Sequence, residues 1–97
     1  MENSAHAASE MLKALANEHR LMVLCQLADG EKSVGELTRL VGLAQPAMSQ
    51  HLARLRRDGL VDTRREGQTV WYALQSDEAS KVIDLLYDLY CAPGEDQ

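Results

Sequence analysis

SVGELTRLVGLAQPAMSQHLARLRRDGL, residues Ser33 to Leu60, divides into two short helical patterns joined at Val41-Gly42-Leu43-Ala44. In the first, Ser33 stands three residues before Glu36, the spacing at which hydroxyl and carboxylate cap each other's backbone amides. Val34, Leu37, Leu40 and Val41 then repeat on one inward face, and Gly42 closes the helix as a left-handed residue would. In the second, Met48, Leu52 and Leu55 recur at i, i+4 and i+7 on the buried side, which turns Gln45, Ser49, Gln50, His51, Arg54 and Arg57 toward solvent. Pro46 is tolerated because first-turn amides have no partner within the helix. Ala44 is a poor N-cap, about 1 kcal/mol worse than serine. Two such helices in this order make a helix-turn-helix, whose second helix enters the major groove while the first braces it across the backbone.

Downstream, Val61 to Arg65 and Gln68 to Leu74 read as strands about Glu66-Gly67, with Gly67 free to take positive φ in a tight turn. A hairpin beside a reading helix is a wing, and Arg64, Arg65 and Gln68 at its tip are placed to reach phosphate or the minor groove. Exposed hairpin arginines also serve simply as soluble edge residues. Upstream, Ala8, Met11, Leu12, Leu15 and Ala16 keep helical spacing over Ala5 to Asn17, with Asn17 as the stop. Glu18 to Ala28 is apolar almost all round and reads as a central buried helix ended by Asp29-Gly30. Asp77 to Cys91 carries Val82, Ile83, Leu85, Leu86, Leu89 and Tyr90 on more than one face, more than a small monomer can cover. Ala92-Pro93-Gly94 ends the order, and Glu95-Asp96-Gln97 is expected to fray.

The expected fold is mainly α with a β-hairpin wing, in the order α-α-α-α-β-β-α, as one domain over residues 1–97. Residues 33–59 form the helix-turn-helix, 60–75 the wing, and 1–17 and 76–92 the dimerisation helices. A chain of 97 residues gains from sharing surface with a second copy, so a homodimer is expected. Met1-Glu2-Asn3-Ser4 is polar and acidic, and the longest apolar run is Leu21 to Cys25, so neither leader nor membrane span is expected and the location is cytoplasmic.

A net charge of −5 argues against a nucleic-acid partner until its distribution is read. Residues 39–65 hold six arginines against Asp58 and Asp62, a local +4 that leaves −9 for the rest. A charge run alone reads as a solvated face; its coincidence with the helix-turn-helix favours duplex DNA. Gln45, Ser49, Gln50 and His51 then face base edges, Ala47 belongs to the same DNA-binding set, and Arg54, Arg57, Arg64 and Arg65 mainly hold phosphate.

Several stretches together resemble the ArsR/SmtB family of bacterial winged-helix repressors: LKALANEHRLMVLCQL, SVGEL, SQHLARLRRDGLV and TVWYAL. The match runs from about Glu10 to Ala92, and within the family it is most similar to the sulfur- and redox-responsive branch. Ala44 departs from the serine or threonine common before the reading helix. The resemblance implies a homodimer that blocks transcription at a pseudo-palindromic operator and leaves it when its signal binds.

Cys25 and Cys91 are the only cysteines. From composition alone, Cys25 is a small core hydrophobe and Cys91 incidental. The resemblance implies otherwise: this branch carries a cysteine pair at these two places, where reactive sulfur or an oxidant joins them by a disulfide or polysulfide bridge. A thiophilic metal or metalloid such as arsenite is the rival inducer. The third helix has Ser33-Val34-Gly35 where thiolate metal sites need cysteine, and residues 77–91 contain no histidine. His6, His19 and His51 are scattered, so no metal and no cofactor is expected. A thiol oxidoreductase would share the dithiol, but there is no CxxC, Gly-rich phosphate loop or carboxylate cluster, and no enzymatic activity is expected. A dimerisation module that never touches DNA is the remaining class.

Overall fold

A computed structural model describes residues 2–91. Its elements are α1 (Glu2–Leu15), α2 (Glu18–Leu27), β1 (Lys32–Ser33), α3 (Val34–Val41), α4 (Gln45–Arg57), β2 (Val61–Glu66), β3 (Thr69–Leu74) and α5 (Asp77–Cys91). The helix-turn-helix falls where the spacing predicts it, and so does the hairpin except at its turn. The expected ending at Ala92-Pro93-Gly94 and the acidic tail lie outside the described residues. None of the described helices is long and apolar enough to cross a membrane.

Leu37 and Val41 of α3, Met48, Leu52 and Leu55 of α4, and Leu60 and Val61 of the wing meet Val23, Leu24 and Leu27 of α2 in one core, which Ala14, Leu15, Ala79 and Ile83 close from either side. Three expectations for the helices need correction. Asn17 does not end α1, which stops at Leu15; its side chain instead accepts from the amides of His19 and Arg20 as the N-cap of α2. The α2 helix is not buried all round, since Met22 is 38% exposed and Cys25 is exposed. Leu40 of α3 is 48% exposed, because the arc centred on Leu37 and Val41 turns it outward.

The capping box forms as read, with the Glu36 amide donating to Ser33 Oγ at 3.2 Å and the Ser33 amide to Glu36 Oε1 at 3.0 Å. Gly42 ends α3 at φ +83°, and Ala44 offers α4 no side-chain cap. The hairpin turn is shifted by one residue: Glu66 pairs with Thr69, so Gly67 at φ +62° and Gln68 make the two-residue turn. Unforeseen is β1, only two residues long, which pairs antiparallel with β3 and gives a sheet ordered β1-β3-β2. Ser33 thus ends a strand and caps a helix at once.

Candidate nucleic-acid interface and paired thiols

Burial of Met48, Leu52 and Leu55 fixes the roll of α4 and leaves Gln45, Ser49 and Gln50 exposed, with Ala47 half-buried. Between its first turn and the hairpin lies a groove of about 380 Å3 lined by Ser33, Val34, Gly35, Gln45, Gln68, Thr69 and Val70. Gln45 of α4 and Gln68 of the wing tip therefore border one groove with no charged residue in its lining.

His51 and Arg54 do not point freely to solvent. The His51 ring is half-buried and lies 5.9 Å from that of His19, and burial, then the positive charges of Arg20 and His19, push its pKa below the usual imidazole value. Arg54 Nε donates to Asp58 Oδ2 at 2.9 Å, an i,i+4 pair that the sequence displays once Asp58 is read as partner as well as helix end. Arg57 keeps 71% of its side chain exposed, its Nε 3.7 Å from Asp58 Oδ1. Arg20 anchors α1, donating from Nε to the Ala14 carbonyl at 2.7 Å and from Nη2 to that of Lys13 at 3.2 Å. Desolvation by burial, with Arg54 nearby, lowers its pKa.

On the wing, Arg65 is exposed and stands opposite Val70, which lines the groove beside Gln45. Arg64 is engaged within the protein. Its Nε donates to Glu31 Oε2 at 3.0 Å and Oε1 at 3.2 Å, its Nη1 to Glu66 Oε1 at 3.4 Å, and its guanidinium carbon lies 5.6 Å from the centre of the Trp71 ring. These hydrogen bonds hold the Glu31 carboxyl below the usual carboxylate range and raise Arg64. Sequence reading missed Glu31, which lies 33 residues from Arg64 with no local pattern to join them.

The two cysteines are free and exposed. Cys25 lies on the wall of a hollow of about 470 Å3 between α2 and α5, with Gln26, Ala28, Asp29, Ile83, Asp84 and Tyr87. Cys91 is one helical turn beyond Tyr87 on the same face of α5. Burial pushes the Cys25 thiol up, and Cys91 is near enough to push it further. Composition favoured Cys25 as a core hydrophobe; its exposure overturns that reading. Among the described residues no three histidine, cysteine or acidic side chains gather as a metal site.

The bacterial regulatory protein arsR family matches residues 17–63. Over 95 residues the chain is 57% identical to the transcriptional activator HlyU of Vibrio cholerae, covering 98% of this chain and 88% of that one. The chain belongs to the ArsR family. This ArsR-family protein is also 47% identical to the biofilm growth-associated repressor of Agrobacterium fabrum, over 98% of its own length and 81% of the relative's. Its fold superposes on reduced HlyU from Vibrio cholerae with a TM-score of 0.91 at 57% identity, covering 94% of this chain and 96% of that one. The homodimeric winged helix-turn-helix domain of Mb0332 from Mycobacterium bovis aligns with a TM-score of 0.81 at 30% identity, over 91% and 82% of the two chains. The relatives are regulators of transcription and not enzymes; this chain is a DNA-binding transcriptional regulator with a winged helix-turn-helix fold.

Proposed function

We propose that this ArsR-family regulator is a cytoplasmic homodimer whose affinity for a pseudo-palindromic operator is controlled by the redox state of Cys25 and Cys91. The observation that carries the reading is that two free, exposed thiols lie near one another, Cys25 on the wall of the hollow between α2 and α5 and Cys91 one turn of α5 beyond Tyr87 of that wall, close enough to raise the Cys25 pKa. Support comes from the structural likeness to a protein described as reduced HlyU, and for the dimer from a relative described as homodimeric. It comes also from an apolar surface left open on α1, α2 and α5: Leu12, Met22, Leu85 and Leu89 are 59, 38, 56 and 61% exposed.

In the switching step one cysteine thiolate attacks a sulfane sulfur, takes it as a persulfide and releases the donor's remaining thiolate. The second cysteine attacks the inner sulfur of that persulfide, closing a disulfide and expelling hydrogen sulfide. The two thiols lose two electrons and two protons, and the sulfane sulfur gains them. Insertion of further sulfur gives a longer bridge. A bond across α2 and α5 ties the helix carrying the core's Val23 and Leu24 to the helix at the dimer surface, and so changes the spacing of the two reading helices. Regulation needs about 1–3 kcal/mol of such coupling, a roughly 5- to 150-fold fall in affinity.

On the DNA side, Gln45, Ala47, Ser49 and Gln50 face base edges, with His51 at the inner margin, while Arg57, Arg65 and Gln68 approach the backbone. Arg54 lies on the same basic surface but is engaged by Asp58, whereas Arg64, on the other face of the wing, is held by Glu31 and Glu66. The deciding experiment joins intact mass to duplex binding after treatment with polysulfide, peroxide or oxidised glutathione. A gain of whole sulfur atoms with loss of two hydrogens, accompanied by release, supports sulfur sensing. Loss of two hydrogens alone with polysulfide but not with peroxide or oxidised glutathione assigns a disulfide closed by sulfane sulfur, the same loss with all three assigns plain oxidation, and release by Cys25→Ser or Cys91→Ser protein as readily as by the unmodified chain refutes the dithiol.

A further inference from the structure

Arg64 and Arg65 are consecutive in a strand, so their side chains leave opposite faces of the wing. On the inner face Val61, Thr63 and Arg65 stand opposite Leu74, Tyr72 and Val70. Leu74 and Tyr72 pack on the core, and Val70 lines the groove beside Gln45. On the outer face Arg64 stands opposite Trp71, which in turn pairs with Ser33 of β1. Ser33, Trp71 and Arg64 thus form one row across β1-β3-β2, and the Arg64 side chain runs back along it, over the indole, to Glu31 beside β1.

The guanidinium has no nitrogen left uncommitted. Nε and Nη2 bond Glu31, and Nη1 bonds Glu66. Asp62 borders the same hollow, of about 190 Å3, so three carboxylates surround one arginine. That neighbourhood is acidic on balance and repels phosphate. Beneath it, Trp71 Nε1 is buried with no hydrogen-bond partner among the described residues.

We propose that Glu31 and Arg64 form a strap that sets the pitch of the wing against α3 and α4, so that both are positioning residues for DNA binding and Arg65 is the wing's phosphate contact. The inference rests on the reading of α4 and the wing as the DNA interface. The strap links the edge strand β2 to the segment entering β1, skipping β3. Because β1 ends at Ser33, the cap of α3, the pitch of the wing is referred directly to the first turn of the helix-turn-helix.

Trp71 is the only tryptophan, so its emission reports on the strap without DNA. The test takes the full chain and its Glu31→Gln, Arg64→Ala, Arg65→Ala and Glu31→Gln/Arg64→Ala variants, and titrates each with a random-sequence duplex over a range of salt while following that emission. Glu31→Gln and Arg64→Ala should each red-shift Trp71 as water reaches the indole, and weaken binding by about threefold, the scale of one exposed ion pair. Their salt slopes should stay unchanged, and the double variant should bind no worse than the weaker single. Arg65→Ala should leave the emission alone and flatten the slope by about 1 per chain. If Glu31→Gln tightens binding and steepens the slope, Glu31 withholds Arg64 from phosphate and the proposal is overturned. A flattened slope in Arg64→Ala overturns it as well. An unmodified chain that binds no duplex at low salt overturns the interface reading and the strap's role together, whereas emission shifts with ordinary duplex binding in every variant overturn the strap's role alone.

Discussion

Replacing Leu89 by aspartate should separate the proposed dimer while leaving each chain folded. Leu89 lies on α5 outside the core, on the apolar arc that also carries Leu85. Full burial of a leucine side chain contributes about 1.5–3 kcal/mol, and the 61% of Leu89 still exposed in the single chain leaves about 1–2 kcal/mol for a partner to supply by covering it. A twofold repeats the contact, so the pair loses about 2–4 kcal/mol, roughly 30- to 1,000-fold in dissociation constant. The aspartate adds a desolvation penalty in the same direction. Sedimentation equilibrium over a wide concentration range reads the association, and circular dichroism checks that the helices persist. A Leu89→Asp chain whose monomer–dimer equilibrium matches that of the unmodified protein, with helicity intact, would place the interface elsewhere and remove the argument that α5 is apolar on two sides because a second copy covers one.

Other outcomes follow from single residues. Ala44→Ser gives α4 the N-cap it lacks at a backbone already extended (φ −67°, ψ 153°), and should raise stability by about 1 kcal/mol, read as a higher urea midpoint; a lowered midpoint would refute the cap. The His51 pKa is held below 6.5 in the fold, so as pH falls through that value the unfolded chain takes up a proton that the folded chain refuses, and stability declines until the lowered folded-state pKa is passed. His51→Gln should therefore make stability less sensitive to pH between about 7.5 and 5, and an equally steep decline in denaturation midpoint would exclude His51 as a source. With the Cys25 thiol pushed up, its alkylation by iodoacetamide in a Cys91→Ser chain should quicken as pH rises through neutrality and beyond, partly relieved because Cys91 is gone; a rate flat with pH would contradict the raised value.

The helix-turn-helix was legible because its signals are local. Ser33 and Glu36 cap one another within a turn, and Met48, Leu52 and Leu55 declare a buried face by spacing alone. What escaped was settled between distant segments. The strand β1 holds only Lys32 and Ser33, too short to show alternation, and exists because β3 offers Tyr72 and Trp71 to pair with. The same holds for Glu31 with Arg64. Adjacent letters suggested that Arg64 and Arg65 act alike, whereas the pleat sends them to opposite faces. The solvent-facing stripe of α4 was right at Gln45, Ser49 and Gln50 but not at His51, because α2 packs close enough for His19 to meet it. The cysteines lay in plain view, yet composition alone misread Cys25, since an apolar stretch of helix says nothing of which residue its neighbours leave uncovered.

The double duty of Ser33 has a consequence for how this fold tolerates insertion. Between the last paired residue of β1 and the first turn of α3 there is no slack, so an added residue there would break either the pairing with Trp71 or the box with Glu36. The turn at Gly67 and Gln68 has no such obligation: both residues are exposed and neither enters the ladder. A wing that must reach further along a duplex can grow at that tip, while the join at Ser33 stays at fixed length.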